Sequence, residues 1–220
     1  MKNILIPLLF TLIANLSMAN SYAVLVPGFE RPVTLQVPAG FSLPQTQADR
    51  ERRERFLNYY RLNPNIKGKY HEVFLKDWAN KSPNPQIVVS TLAATEKQQG
   101  KITKQTWDEA RGNFLNASNE EIKKIRKQWR PAIEDGSPTG ERIQQELLWV
   151  ERQKDPSTVI VLAIVKSDSN GVLSDVISSR KLMYLEGYIV VANLTLDAGR
   201  LDAITEALTY LKEIRILKIK

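Results

Sequence analysis

Ser178-Ser179-Arg180-Lys181 sets a lysine three residues after a serine, the S-x-x-K spacing with which an amine activates a serine for acyl transfer in penicillin-binding enzymes. In those enzymes the serine opens a helix and has S-D-N and K-T-G companions. Here Lys181 leads into a strand-like run and both companions are missing, so the segment reads as a polar loop feeding a hairpin. His71 is the only histidine, and Glu72 follows it inside another strand-like run. A Ser-His-acid triad would need a nucleophile elbow such as G-x-S-x-G, and zinc hydrolysis would need the second histidine of H-E-x-x-H; the chain has neither. The expectation for His71 is an ordinary strand or edge histidine, with no metal and no cofactor. Asp108/Glu109, Glu120/Glu121 and Glu134/Asp135 could in principle supply the two carboxylates of a glycosidase. Adjacent residues point to different sides of a helix, however, and two of these pairs sit where helices begin and acids are favoured without catalysis.

The elements that would carry these residues follow from period and punctuation. Val33-Thr34-Leu35-Gln36-Val37 alternates apolar and polar and ends at Pro38-Ala39-Gly40, a strand and its turn. Residues 49–62 pair Arg50 with Glu54 and Glu51 with Arg55 at i,i+4, and carry Phe56, Leu57, Tyr59, Tyr60 and Leu62 as an apolar side, which predicts a helix. Tyr70 to Trp78 and Gln86 to Thr91 read as strands. Thr106-Trp107-Asp108-Glu109 and Ser118-Asn119-Glu120-Glu121 match capping boxes, predicting helices over 107–116 and 119–134. Residues 143–152, 157–166, 180–185 and 188–196 read as four strands, the last two joined by a tight Glu186-Gly187 turn. A final helix is expected from near Asp197, with Leu201, Ile204, Leu208 and Leu211 on one face and Lys212, Arg215 and Lys218 at its end. The fold class expected is α+β: an antiparallel sheet flanked by helices, an α/β/α-type sandwich with the C-terminal helix packed on the sheet.

The first 23 residues give an address. Lys2 precedes an uncharged, mostly apolar run from Ile4 to Leu16, and Ser21-Tyr22-Ala23 is a small-x-small site, together a secretory signal peptide that would leave residues 24–220 as one domain starting at Val24. A cut after Ser17-Met18-Ala19 is also open. The apolar run is shorter than the ~20 residues of a spanning helix. The absence of cysteine rules out thiol nucleophiles, disulfides and a lipid-modified cysteine. A soluble protein, periplasmic or secreted and not a lipoprotein, is expected.

The formal net charge of the whole chain is +7, and it is concentrated. Residues 97–130 hold nine basic side chains against four acidic ones. In the predicted second helix Ile122, Ile125 and Trp129 form an apolar stripe, with Lys123, Lys124, Arg126, Lys127 and Arg130 around it. Lys123, Lys124, Arg126, Lys127, Trp129 and Arg130 are therefore the candidate partner-binding residues. Such a surface suits an acidic envelope protein or, less well, an anionic membrane. Nucleic acid is not expected, because no binding motif accompanies the charge.

Three segments resemble the PsbP-like (Mog/PsbP-type) α/β-sandwich group. They are Val33-Thr34-Leu35-Gln36-Val37-Pro38-Ala39-Gly40-Phe41, similar to the group's opening strand and P-x-G-[FW] turn; the Lys181 to Leu196 hairpin; and the helix after it. The resemblance implies a binding or accessory protein without conserved catalysis, and it assigns no site residue. The expected function is an exported, non-catalytic accessory or adaptor that binds protein through region 97–130; the alternatives are a small secreted hydrolase with an unrecognised site and a peripheral binder of anionic membrane.

Overall fold

The structure, a computed structural model, describes residues 19–25, 32–62, 69–79, 85–91, 101–116, 142–152, 154–169, 172–199 and 202–219. Among these residues, nine strands and three helices follow in the order β1 (Asn20–Val24), β2 (Val33–Val37), α1 (Gln47–Leu62), β3 (Lys69–Leu75), β4 (Gln86–Thr91), α2 (Lys104–Asn116), β5 (Arg142–Arg152), β6 (Thr158–Ser169), β7 (Val172–Leu185), β8 (Tyr188–Asp197), α3 (Ala203–Glu213) and β9 (Arg215–Ile219). The architecture is α+β. Six antiparallel strands in the order β3-β4-β8-β7-β6-β5 form the main sheet, and β1-β2-β9 form a second, three-stranded sheet.

Alternation decides which face of the main sheet carries the core. Ile160 and Leu162 on β6, Ile177 and Met183 on β7, and Val190, Ala192, Leu194 and Leu196 on β8 are buried together with Phe74 and Ile87. Val33, Leu35 and Val37 of the small sheet and Ala203, Ala207 and Leu211 of α3 close over them. Full burial of each larger aliphatic side chain contributes roughly 1.5–3 kcal/mol. On the opposite face, Leu57 of α1 packs against Val73, Leu75 and Val88. Helices thus lie on both faces of the main sheet.

Local chemistry sets the helix boundaries. Thr46 and Asp49 cap α1 reciprocally: the Asp49 amide donates to the Thr46 hydroxyl at 3.2 Å, and the Thr46 amide donates to the Asp49 carboxylate at 3.0 Å. Hydrogen bonding of the Asp49 carboxylate by the Thr46 amide, and then by the Thr46 hydroxyl, holds that carboxyl below its ordinary value. Arg53, further along α1, forks onto Glu72 of β3, its Nη2 donating to Oε2 at 2.8 Å. α2 starts earlier than its capping-box pattern suggests. The Thr106 amide donates to the Thr103 hydroxyl at 3.0 Å, so Thr103 is the cap and Thr106 lies inside the first turn.

The chain's last part differs most from expectation. β8 continues to Asp197, and α3 runs only from Ala203 to Glu213. Arg215 and Lys218 belong to β9, which pairs antiparallel with β2 through Thr34↔Lys218 and Gln36↔Arg215. The buried stripe of α3 is Ala203, Ala207 and Leu211, whereas Ile204 is exposed. β3 ends at Leu75, short of Trp78. β1 takes in Ser21-Tyr22-Ala23 and pairs with β2 over five residues.

The Glu186-Gly187 turn has the two-residue form expected of it, with φ of 47° and 92° at the two positions and Leu185 paired with Tyr188. Positive φ strains the glutamate, so Glu186→Asn is expected to stabilise the protein by roughly 0.5–1 kcal/mol. Urea denaturation checks this, and a loss of stability would contradict the turn geometry.

Candidate functional site

A cavity of about 600 Å³ opens where the start of β6, the end of β7, the C-terminus of α3 and β9 converge. Its basic lining is Lys154, Lys181, Lys212 and Arg215, and its acidic lining is Asp155 alone. Met183, Leu185, Ile216 and Leu217 supply apolar wall, and Leu217 is 51% exposed. The cavity is thus a cationic recess with apolar sides.

Lys181 is its buried centre, 4% exposed. On β7, Ile177, Ser179, Lys181 and Met183 are the buried positions, so strand alternation alone turns the lysine inward. Its amine donates to the Ile214 carbonyl at 2.6 Å and more weakly to the Lys212 carbonyl at 3.4 Å. Those carbonyls end α3, where the helix leaves acceptors unpaired and its dipole favours a cation. Burial, reinforced by the charge of Arg215 and opposed by Asp155, lowers the Lys181 amine to about 8. Lys212 is the basic residue expected in the last turn of this helix, and β7 adds a second cation, Lys181, from across the core.

The rim is tied down by short-range bonds. The Asp155 carboxylate accepts the Ser157 amide at 2.8 Å and hydroxyl at 2.6 Å. Burial would raise this carboxyl, but the Ser157 bonds, with Lys181 and Arg111, hold it below its ordinary value. The Ser157 carbonyl accepts the Tyr184 amide at 2.7 Å. From α2, the Trp107 indole donates to the Pro156 carbonyl at 3.0 Å and Arg111 Nε to the Thr158 carbonyl at 3.1 Å. Trp107 also stacks on Tyr184, centroids 5.9 Å apart and planes 23° apart. α2 therefore brings Arg111, part of the basic stretch 97–130, to the cavity rim.

The other candidate chemistry does not meet here. Ser178 and Lys181 are an odd number of residues apart on one strand and so face opposite sides of the sheet, which removes the helical S-x-x-K geometry. Ser179 shares the inward face with Lys181 but is 0% exposed, closed to any substrate. His71 is buried on β3, its Nε2 3.0 Å from the Thr91 hydroxyl of β4, outside the cavity lining. Asp108 and Glu109 lie exposed on α2. Among the described residues no group of three or more His, Cys, Asp or Glu side chains could hold a metal, and no helix is long and apolar enough to cross a membrane. Glu120/Glu121, Glu134/Asp135 and the partner-binding candidates Lys123, Lys124, Arg126, Lys127, Trp129 and Arg130 lie outside the described residues.

No family model and no curated protein matches the chain. Among solved structures it is similar to the solution structure of cyanobacterial PsbP (CyanoP) from Synechocystis sp. PCC 6803, at 12% identity and a TM-score of 0.47, over 93% of this chain and 95% of that one. This neighbour comes from the group that the sequence resembles. No residue role passes from it, and the α+β description rests on the sheets and helices themselves.

Proposed function

We propose that the protein is an exported, non-catalytic accessory or adaptor that binds another envelope protein through an acidic surface of that partner. The observation that carries this reading is the composition of the cavity, four basic side chains against one acidic, with apolar walls beside them. A recess of that kind attracts a carboxylate-bearing segment and sets its orientation. Lys181 is engaged with the carbonyls that end α3, an arrangement suited to holding charge in place rather than to attacking a substrate. Within the described part of the basic stretch, Arg111 reaches the rim, and Lys101 and Lys104 are exposed.

Affinity capture from envelope extract tests this with three baits: the parent, a Lys154→Glu/Lys212→Glu/Arg215→Glu variant, and a Lys123→Glu/Lys124→Glu/Arg126→Glu/Lys127→Glu variant. The expected result is an acidic envelope protein held by the parent and weakened at least tenfold by the first variant, with melting temperatures unchanged. Loss with the second variant alone would move the contact to the helical candidates. Capture unaffected by both would overturn the reading. Salt-sensitive sedimentation with anionic liposomes, or turnover in esterase, glycosidase or peptidoglycan screens, would replace it with the membrane or hydrolase alternative.

A further inference from the structure

We propose that the leader is removed by hydrolysis of the Ala19–Asn20 peptide bond, so that the mature chain begins at Asn20 with all of β1 intact. The inference rests on the export half of the proposed function and goes beyond it by fixing the scissile bond. The sequence offers two small-x-small sites in near succession, Ser17-Met18-Ala19 and Ser21-Tyr22-Ala23. Taken as a signal, the second is as good as the first. The structure separates them, because the second lies within a strand that the fold uses.

β1 pairs with β2 over five consecutive positions, from Asn20↔Val37 to Val24↔Val33. Its inward residues are Tyr22 and Val24, with Val24 buried in the main core. The Tyr22 ring packs 5.2 Å from Phe74, which is itself fully buried. Two side chains of β1 converge on one carbonyl: Asn20 Nδ2 donates to Phe41 O at 3.2 Å, and the Tyr22 hydroxyl donates to it at 3.3 Å. A cut after Ala23 would remove four of the five strand residues, uncover part of Phe74, and leave that side of β2 without its partner. Ser21 and Ala23 occupy outward, exposed positions of this edge strand, where small residues are accommodated without any role in processing. Ala19 immediately precedes β1, so a cut there removes none of the strand.

The cleavage chemistry is that of a peptidase reading small residues at the first and third positions before the bond. Water adds to the Ala19 carbonyl carbon and the C–N bond breaks. Ala19 leaves as the leader's carboxylate, and the mature chain starts with the Asn20 ammonium. Because β1 is at the edge of its sheet, it can pair with β2 after cleavage without disturbing the other strands.

The test is expression of the full 220-residue chain in a bacterial host with cell fractionation, followed by intact-mass and N-terminal sequence determination of the exported form. Asn20 at the N-terminus supports the proposal. Val24 at the N-terminus overturns it while leaving export intact, and an uncut chain retained in the cytoplasm overturns both. Two variants sharpen the result: Ala19→Asp should abolish processing at least tenfold, whereas Ala23→Asp, an exposed strand position, should leave it unchanged. The reverse pattern would refute the assignment. As a measurement independent of processing, a chain starting at Val24 should melt at least roughly 5 °C below one starting at Asn20; equal melting would count against the role given to β1.

Discussion

Trp107→Ala is expected to lower the unfolding free energy by about 3–5 kcal/mol, the range for deleting a buried tryptophan. Trp107 is 2% exposed, and its ring does three things that alanine cannot. It stacks on Tyr184, satisfies the Pro156 carbonyl, and joins α2 to the loop over residues 154–158. Its loss would leave a void and an unpaired carbonyl in the same place. The cavity rim is attached at that point, so amide exchange should speed up in residues 104–116 and 154–158 before it does in β8. Denaturant unfolding with hydrogen exchange checks both parts. Gln105→Ala, on the exposed side of the same helix, should stay within about 0.5 kcal/mol. A Trp107→Ala loss below about 1 kcal/mol would mean that α2 is not held by this contact.

Lys181→Met is expected to change the pH dependence of stability between about 8 and 10.5. The ordinary lysine value is 10.5, and in the folded chain burial takes Lys181 to about 8. Below pH 8 both folded and unfolded chains carry the proton, so the folded state bears the full penalty of a buried charge. Between the two values the folded chain has released its proton while the unfolded chain still binds one. Stability therefore rises with pH across this window, and the contribution levels off above it. The charged groups facing the amine are Arg215 on β9, Lys212 on α3, and Asp155 and Lys154 on the loop before β6. Lys76 and Tyr210, whose values are also displaced, occur in both proteins and cancel in the comparison. Measured against Lys181→Met by chemical denaturation, the parent should gain stability from pH 8 to 10.5. Parallel curves would place the amine in water rather than in the core.

Elements with local signals are legible in the order of amino acids alone. β4 was expected at Gln86–Thr91 and occupies those residues, because a β-branched run after a proline-rich loop has no competing helical period. The β7–β8 hairpin was legible from Glu186-Gly187, since the turn is set by two residues and fixes the pairing on either side. α1 was legible from its i,i+4 charges and apolar side, and the α+β class follows from elements of these kinds in this order. Other features depend on partners distant along the chain. β9 is a five-residue strand with Leu217 at its centre, directly after the helical period of α3; pairing with β2, almost the whole chain length away, makes it a strand. β1 carried a cleavage pattern that hid its strand pattern until β2 and Phe74 were placed beside it. Lys181 is the sharpest case. Its inward direction was available from the parity of β7 once that strand is extended back to Val172, but its neighbours were not. The Ile214 and Lys212 carbonyls and the Arg215 charge come from the α3–β9 junction and the Asp155 carboxylate from the loop before β6, and the field that shifts a proton or attracts a ligand depends on distances that sequence order does not contain.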